Sequence, residues 1–555
     1  MDTTQGIAPP LPELLQSYRM GFAVTAVEMA ERIGLVSYLN THLRWDPKQC
    51  RVSPGIRLLA LMITFLVDPQ ALYRIPEFYA ELDCAILFGA ERQANDFNDD
   101  AIGRALEKLF ESQAGQIHTG LCTQAVERLG LDPTPQLHCD TTSITLTGQY
   151  PDPGPGSQPV YGHNKDGHPD CKQLVVGVVA RTDGLPYGVD VCDGNMDDPT
   201  WSRQAIMSTG RSLTADIRAT LLFVADSKLV SQQTVEDLCE AEIQFVSRLP
   251  NTFGLERATK AEAHRRDAWD TVGVVGRQAD ATTYRIQEIA GTISEKPVRL
   301  IVVHSSALEA KAAHWETKTL KAGAHRIDES LQSLLATTFA CREDAELAWK
   351  RWRATKWLRR TGWGIAGQVV AREGSVECGE PELQWRIEAA RTQPDPAFFD
   401  AERFRRSTFI LVANDPRRPA RELLTAYKTQ GVVEQDNALV KGPLRIAPLF
   451  LKDTKKIEAY VYVVYLALLL WQCMQAVMRQ NQDRLGISLP YPHGALQPAP
   501  TTKRLKEIVG PIQVALWRDA DGTLRRSRSA LTLIQRQALL LVGTDSRRFT
   551  QIPSG

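Results

Sequence analysis

The 555 residues balance 65 basic against 65 acidic side chains, and 43% of them are hydrophobic. That is enough chain for several domains with sizeable cores, and it excludes a low-complexity or collagen-like polypeptide. A formal net charge of zero means that any contact with nucleic acid must come from clustered basic residues, and ten cysteines without a CxxC pair exclude a disulfide framework and a zinc ribbon, fitting reduced thiols in a cytoplasm.

No secretory signal pattern opens the sequence. Residues 1 to about 130 read as helical. Ser53–Pro54 is a cap followed by a favoured first-turn residue, ahead of the apolar run IRLLALMITFLV. A second helix starts in the Asp96–Asp100 region, with Ile102, Leu106, Leu109 and Phe110 on one stripe. The character changes after Asp132–Pro133. QLHCDTTSITLTG alternates like a strand, and the Pro/Gly-rich PDPGPGSQP and then GHNKDGHPDCK follow as loop. KQLVVGVVART and LPYGVDVCDG read as two further strands around a turn at Asp183–Gly184, residues from Asp198 to Gly210 as a helix, and LLFVAD as a fourth strand. A three-strand meander, a helix and another strand is the opening order of a ribonuclease H-like fold. In that fold Asp140, within the first strand, and Asp226, closing the fourth, lie on neighbouring strands.

Residues from about 246 to 405 read as an insertion. It opens near IQFVSRLP and holds strand candidates TTYRIQEI, VRLIVVHSS, QVVAREG and LQWRIEAAR, with a polar helical stretch from about Leu308 to Arg360 between them. Within that stretch WKRWRATKWLRR, Trp349 to Arg360, interleaves six Lys or Arg with three Trp. Basic and aromatic residues together suit phosphate contact and stacking on bases, which makes Lys350, Arg351, Arg353 and Lys356 candidate DNA-binding residues. An amphipathic helix with tryptophans in a core and charges in water explains the pattern equally well. TFILVAND returns the chain to the sheet. YKTQGVVEQDNALVKG, Tyr427 to Gly442, then reads as one helix stopped at Gly442–Pro443. Steps of three, four and seven place Tyr427, Gln430, Glu434 and Lys441 on one face of it. Leu423, Leu424, Val433 and Val440 supply its packing. The most apolar stretch, Ala459 to Trp471, is too short to span a bilayer and reads as a buried helix, so no membrane partner is expected. From Leu489 the chain is Pro-rich, and it is basic again near Arg525, Arg526 and Arg528.

The spacing of Tyr427, Glu434 and Lys441 resembles the Tyr-Arg-Glu-Lys signature of a large class of insertion-sequence transposases, with Gln430 where that signature has Arg. Further wording resembles one branch of these enzymes. SPGIRLLAL, ALYRIPEFYAELD and FNDDAIGRALEKLFE are similar to its amino-terminal domain. CDTTSITLTGQY, GHNKDGHPDCKQLVVGVV, GLPYGVDVCDGNMDD and VADSKLVS are similar to its catalytic domain. The resemblance runs from roughly residue 50 to 480.

The resemblance implies an α/β protein whose ribonuclease H-like (retroviral integrase-like) catalytic domain is interrupted by a mixed strand and helix insertion and preceded by a helical N-terminal domain. The expected divisions are 1–130 (helical, touching transposon-end DNA), 131–245 (catalytic, first part), 246–405 (insertion), 406–485 (catalytic, second part) and 486–555 (C-terminal tail). It implies a DDE active site of Asp140, Asp226 and Glu434 holding two Mg2+ ions, with Mn2+ as a substitute, Asp140 bridging both. Two such ions roughly 4 Å apart clamp the attacking and leaving oxygens of a phosphodiester. Tyr427, Gln430 and Lys441 are then expected to hold phosphates of the cleaved DNA end, although Gln430 cannot supply the charged fork of an Arg. The function implied is binding of terminal inverted repeats, hydrolysis at element ends and joining of 3′ hydroxyls to target DNA. At least a homodimer is expected at synapsis, in a prokaryotic, nucleoid-associated, cytoplasmic setting. The alternatives are a metal-dependent nuclease of the same fold without strand transfer, and a catalytically silent DNA-binding protein derived from such an element. Taken singly, Asp140 also fits a surface strand residue bonded by its threonine neighbours, and Asp193 and Asp197 read as turn residues. His138 falls on the side of Asp140, in a structural or DNA-contacting role.

Overall fold

A computed structural model describes residues 13–133, 136–150, 154–275, 282–373, 383–444 and 451–553. The chain forms two compact units, one of residues 1–245 and 429–555 and the other of 246–428.

The first unit opens with a strand, β1 (Glu13–Arg19), where the sequence suggested helix only. Among the described residues seven α-helices follow in chain order: α1 (Gly21–Arg32), α2 (Leu35–His42), α3 (Pro54–Val67), α4 (Ile75–Ala80), α5 (Cys84–Phe88), α6 (Asp99–Glu111) and α7 (Ala114–Leu129). Helix α3 starts as its sequence dictates: the Ser53 hydroxyl accepts from the Ile56 backbone N–H at 3.3 Å, and Pro54 follows in the first turn. Asn98 does the same for α6 by accepting from the Ala101 N–H at 2.9 Å. The strands β2 (Gln136–Leu146), β3 (Lys172–Arg181) and β4 (Pro186–Asp193) then form an antiparallel meander. After α8 (Asp198–Ser212) and α9 (Ala215–Thr220), β5 (Leu222–Ala225) pairs parallel to β2, with Cys139 opposite Ala225. Helix α10 (Gln232–Glu240) closes this half.

The second unit is built on β6 (Gln244–Arg248), whose residues 246–248 pair with a later strand, and on α11 (Gly254–Arg266), β7 (Asp270–Val274), β8 (Thr283–Ile293) and β9 (Lys296–Ser305). The polar stretch read as one helix is two, α12 (Ser306–Leu335) and α13 (Arg342–Arg353), separated by β10 (Thr338–Phe339). Strands β11 (Trp363–Glu373) and β12 (Leu383–Pro394) pair antiparallel, and β10 joins the other edge of β12. Helix α14 (Pro396–Ser407) leads to β13 (Thr408–Ala413), which lies between β6 and β9, and β8 and β7 extend that sheet. Because β13 bonds to β9, the unit runs past residue 405 to Lys428, at the end of α15 (Ala420–Lys428). Here Trp349 packs with Ile327, Leu331, Leu358 and Ile387, and Trp352, Trp357 and Trp363 lie against them.

Back in the first unit, α16 (Gly431–Lys441) is followed by α17 (Thr454–Leu485), α18 (Thr502–Val509), β14 (Gln513–Arg518), β15 (Leu524–Arg528) and α19 (Leu533–Val542). Helix α17 extends well beyond the apolar stretch seen in the sequence. At 32 residues it is long and apolar enough to cross a membrane, yet 94% of its most apolar window is buried in the protein. It is the hub of a core that includes Phe22, Leu61, Leu106, Leu121, Val178, Val433 and Leu539. Helices α1 to α7 therefore share one core with the strands of the first unit and with the C-terminal segment, instead of standing as a separate domain. Each fully buried Leu or Val there contributes about 1.5–3 kcal/mol. The C-terminal segment is folded too: β14 pairs antiparallel with β1, and Arg526 on β15 meets the buried Asp83 carboxylate at 2.7 Å.

Candidate functional site

Strand β2 alternates, so His138 and Asp140 share a face, and β5 lies parallel beside it. Cys139 pairs with Ala225, one residue short of Asp140 and of Asp226, so Asp140, within β2, lies beside Asp226, just past the carboxyl end of β5. Asp226 caps the short turn after β5, its Oδ1 accepting from the Lys228 backbone N–H at 2.7 Å. Burial raises the Asp140 carboxyl above its ordinary range; Lys165 opposes this, and the negative charges of Asp226 and Asp198 add to it. A half-buried aspartate facing two others is an arrangement that a divalent cation relieves, and an all-oxygen donor set suits Mg2+. The residues fit such an ion at the aspartate pair. Among the described residues no three His, Cys, Asp or Glu side chains stand close enough together to hold one, so Glu434 does not complete a set of three here.

Helix α16 packs on β2. Asn437 donates to Asp140 Oδ2 at 3.4 Å. Glu434, one turn earlier, is exposed on the flank next to Asn437, while Val433 and Val440 are buried in the core of the first unit; Leu423 and Leu424, in the second unit, are each buried as well. The predicted single helix from Tyr427 to Gly442 is broken. Helix α15 ends at Lys428, Thr429 and Gln430 form a turn, and α16 begins at Gly431. Gly431 is the physical reason: glycine disfavours a helix interior by about 1 kcal/mol, and the chain restarts through the three-residue bonds Val432 N to Thr429 O and Val433 N to Gln430 O. Tyr427 therefore does not share a helix face with Glu434. It sits in the second unit with its ring 6.3 Å from that of Phe409. Gln430 is the half-buried residue before α16. Lys441 does lie on α16, and its Nζ is 2.6 Å from Asp166 Oδ1. His138 is fully buried; burial lowers its ring to about 4, and Nε2 faces the Thr429 hydroxyl at 3.4 Å. Lys350, Arg351, Arg353 and Lys356 are exposed on and just after α13 in the second unit, whereas the tryptophans between them are packed inward.

The structure gathers residues at the aspartates that sequence reasoning passed over. Asp198, in the first turn of α8, accepts from the Thr141 hydroxyl and meets Lys165 Nζ at 3.1 Å and Lys228 Nζ at 2.5 Å. Burial alone would raise its carboxyl, but the bonds from Lys228, Thr141 and Lys165 outweigh burial and leave it below its ordinary range. In the sequence Asp198 follows the capping Asp197, whose side chain accepts from the Thr200 N–H at 3.1 Å, and precedes Pro199. In the sequence it marked only the start of a helix.

Residues 132–470, more than half of the chain, match the transposase DDE domain. The chain belongs to the transposase DDE domain family. That match spans β2, β5 and α16, and so includes Asp140, Asp226 and Glu434. Residues 20–123 match a domain of unknown function (DUF4277). No curated protein matches the chain. Among solved structures it is similar to the cryo-EM structure of the piggyBac transposase synaptic complex with hairpin DNA, at 7% identity and a TM-score of 0.37, over 90% of this chain and 82% of that one. A likeness at this level lends no weight to the fold.

Proposed function

We propose that this family member is the transposase of a DNA insertion sequence, which binds the element's terminal inverted repeats, hydrolyses DNA at the ends and joins the freed 3′ hydroxyls to target DNA. The observation that carries the proposal is the convergence of Asp140, within β2, and Asp226, at the carboxyl end of the neighbouring β5, with the helix of Glu434 packed against β2. The meander β2–β3–β4 with β5 parallel to β2 supports a ribonuclease H-like catalytic core. Asp140, Asp226 and Glu434 would hold the divalent ions, Mg2+ or in its place Mn2+. When bound, such ions supply charge neutralisation at the attacking and leaving oxygens.

The chain's own residues have separable tasks. Asp140 and Asp226 are fixed by the strand pair, and the Lys228 N–H orients Asp226. Asn437 holds one oxygen of Asp140. Lys441, the one residue of the signature's phosphate-contacting set that lies on α16, would exchange Asp166 for a DNA phosphate. Gln430 and Tyr427 would contact the cleaved end by a geometry other than a shared helix face. Lys350, Arg351, Arg353 and Lys356 offer an exposed basic face in the second unit. Two ends must be joined in one reaction, so a homodimer at synapsis is part of the proposal, as is a nucleoid-associated, cytoplasmic setting in a prokaryote.

The test is a gel assay with a labelled duplex carrying the inverted repeat that flanks the gene, a supercoiled plasmid as target, and Mg2+. The expected result is a nick at the repeat boundary and covalent joining of the 3′ end to plasmid. Cleavage without joining would replace the proposal by a nuclease, and binding without either by a silent DNA-binding protein.

A further inference from the structure

Among the described residues Lys165, Lys228 and Lys441 lie on the segments around the aspartate pair, and their contacts set them apart. Lys441 is paired with Asp166. Lys165 Nζ has the Thr141 carbonyl at 2.7 Å, the Thr141 hydroxyl at 2.6 Å and Asp198 at 3.1 Å. An ammonium has three protons, so these acceptors account for all of them. Lys165 is a structural pin between its loop and β2. Lys228 is different. Its described Nζ contact is Asp198 Oδ2 at 2.5 Å, which uses one proton, and its side chain is 47% exposed. It stands two residues after Asp226 and donates its backbone N–H to that carboxylate, so its backbone is fixed beside the aspartate pair and its ammonium is within reach of it. Asp198 balances one of the two lysines it touches, which leaves one positive charge in the trio. A compact cation with unused donors beside paired carboxylates is suited to a phosphate oxygen.

Resting on the transposase reading, we propose that Lys228 binds a non-bridging oxygen of the phosphate that is cut, and that Asp198 is the residue that positions it. Asp198 takes no part in the reaction itself. It holds the Lys228 side chain over the aspartates before DNA arrives, which spares the ordering of a long flexible chain at binding.

The experiment is a thermodynamic cycle between protein and DNA. Full-length protein is titrated, in Ca2+ to suppress cleavage, with two duplexes of the element's end sequence. One is native and the other carries an uncharged methylphosphonate at the scissile position. Wild-type protein is expected to bind the second duplex more weakly. In Lys228→Met that penalty is expected to shrink about tenfold, the size of one charge-assisted contact, because the contact is already gone. Asp198→Asn is expected to shrink it too, with little change in affinity for a duplex trimmed at the scissile bond. Lys165→Met is expected to lower the melting temperature and leave the penalty unchanged. An equal penalty in wild type and Lys228→Met overturns the assignment. If wild type cleaves native DNA in Mg2+ but shows that equality, only the role of Lys228 falls. If wild type neither binds nor cleaves the end duplex, the transposase reading falls with it.

Discussion

Replacing His118 with methionine is expected to make the first unit less sensitive to acid. His118 lies in α7 with its ring fully buried and neither nitrogen in a well-aligned hydrogen bond. Burial pushes the imidazole from 6.5 down to about 4, against a smaller opposing pull from the Tyr465 backbone. The folded protein thus keeps the ring neutral where the unfolded chain protonates it. Stability from this site is complete above about pH 6.5 and falls as pH drops towards 4, since the unfolded state then binds the extra proton. At about 1.4 kcal/mol per pH unit the full loss is about 3 kcal/mol, of which about 2.5 kcal/mol is reached by pH 4.5. Methionine is close in volume and does not titrate. The assay is urea unfolding of the full-length protein at pH 7 and pH 4.5, with α7 followed by hydrogen exchange. Carboxylates titrate in both proteins, so the difference between them isolates the ring. The variant is expected to gain about 2.5 kcal/mol on wild type between the two pH values, and parallel losses in the two proteins would refute the reasoning.

Other substitutions probe other joints of the structure. Arg526→Ala strands the Asp83 carboxylate, which is 5% exposed, and is expected to cost about 3 kcal/mol; urea titration checks this, and Asp83→Asn in the same chain should recover part of it. Trp349→Ala removes the centre of the small core in the second unit and is expected to cost about 3–5 kcal/mol, seen as faster hydrogen exchange in α12 and β12 with the first unit unaffected. Neutralising Lys350, Arg351, Arg353 and Lys356 is expected to flatten the slope of log affinity for end DNA against log salt, by about 0.9 for each phosphate that no longer meets a cation. An unchanged slope with an intact fold would leave those charges as a solvated face.

The elements that announced themselves in the sequence are those whose signal is local. Strand alternation marked β2, the capping serine and proline marked α3, and an aspartate closing an apolar run marked the end of β5. Asp140 and Asp226 could be paired in advance because a meander followed by a helix and strand has few ways to fold. What escaped was either non-local or a break in a regular pattern. The pairing of β1 with β14 and the contact of Asp83 with Arg526 join opposite ends of the chain, and no window of sequence contains both partners. The turn at Thr429 and Gln430 escaped because Leu423, Leu424, Val433 and Val440 keep a helical phase on either side, and Gly431 was its visible warning. Lys165, Asp198 and Lys228 come from three separate loops or helix starts, each ordinary by itself. The tryptophans of residues 349–360 show the opposite case. Composition pointed equally to stacking on bases and to a core, and burial of Trp349 answers for that side chain.

The central claim is that Asp140, Asp226 and Glu434 together hold the catalytic ions. A structure of the full-length protein bound to element-end DNA in Mn2+, with the ions located by anomalous scattering, tests it directly. The account predicts manganese between Asp140 and Asp226, with Glu434 turned in from the flank of α16 as a further ligand. Manganese held by the two aspartates and Asp198, with Glu434 still in solvent, would contradict it.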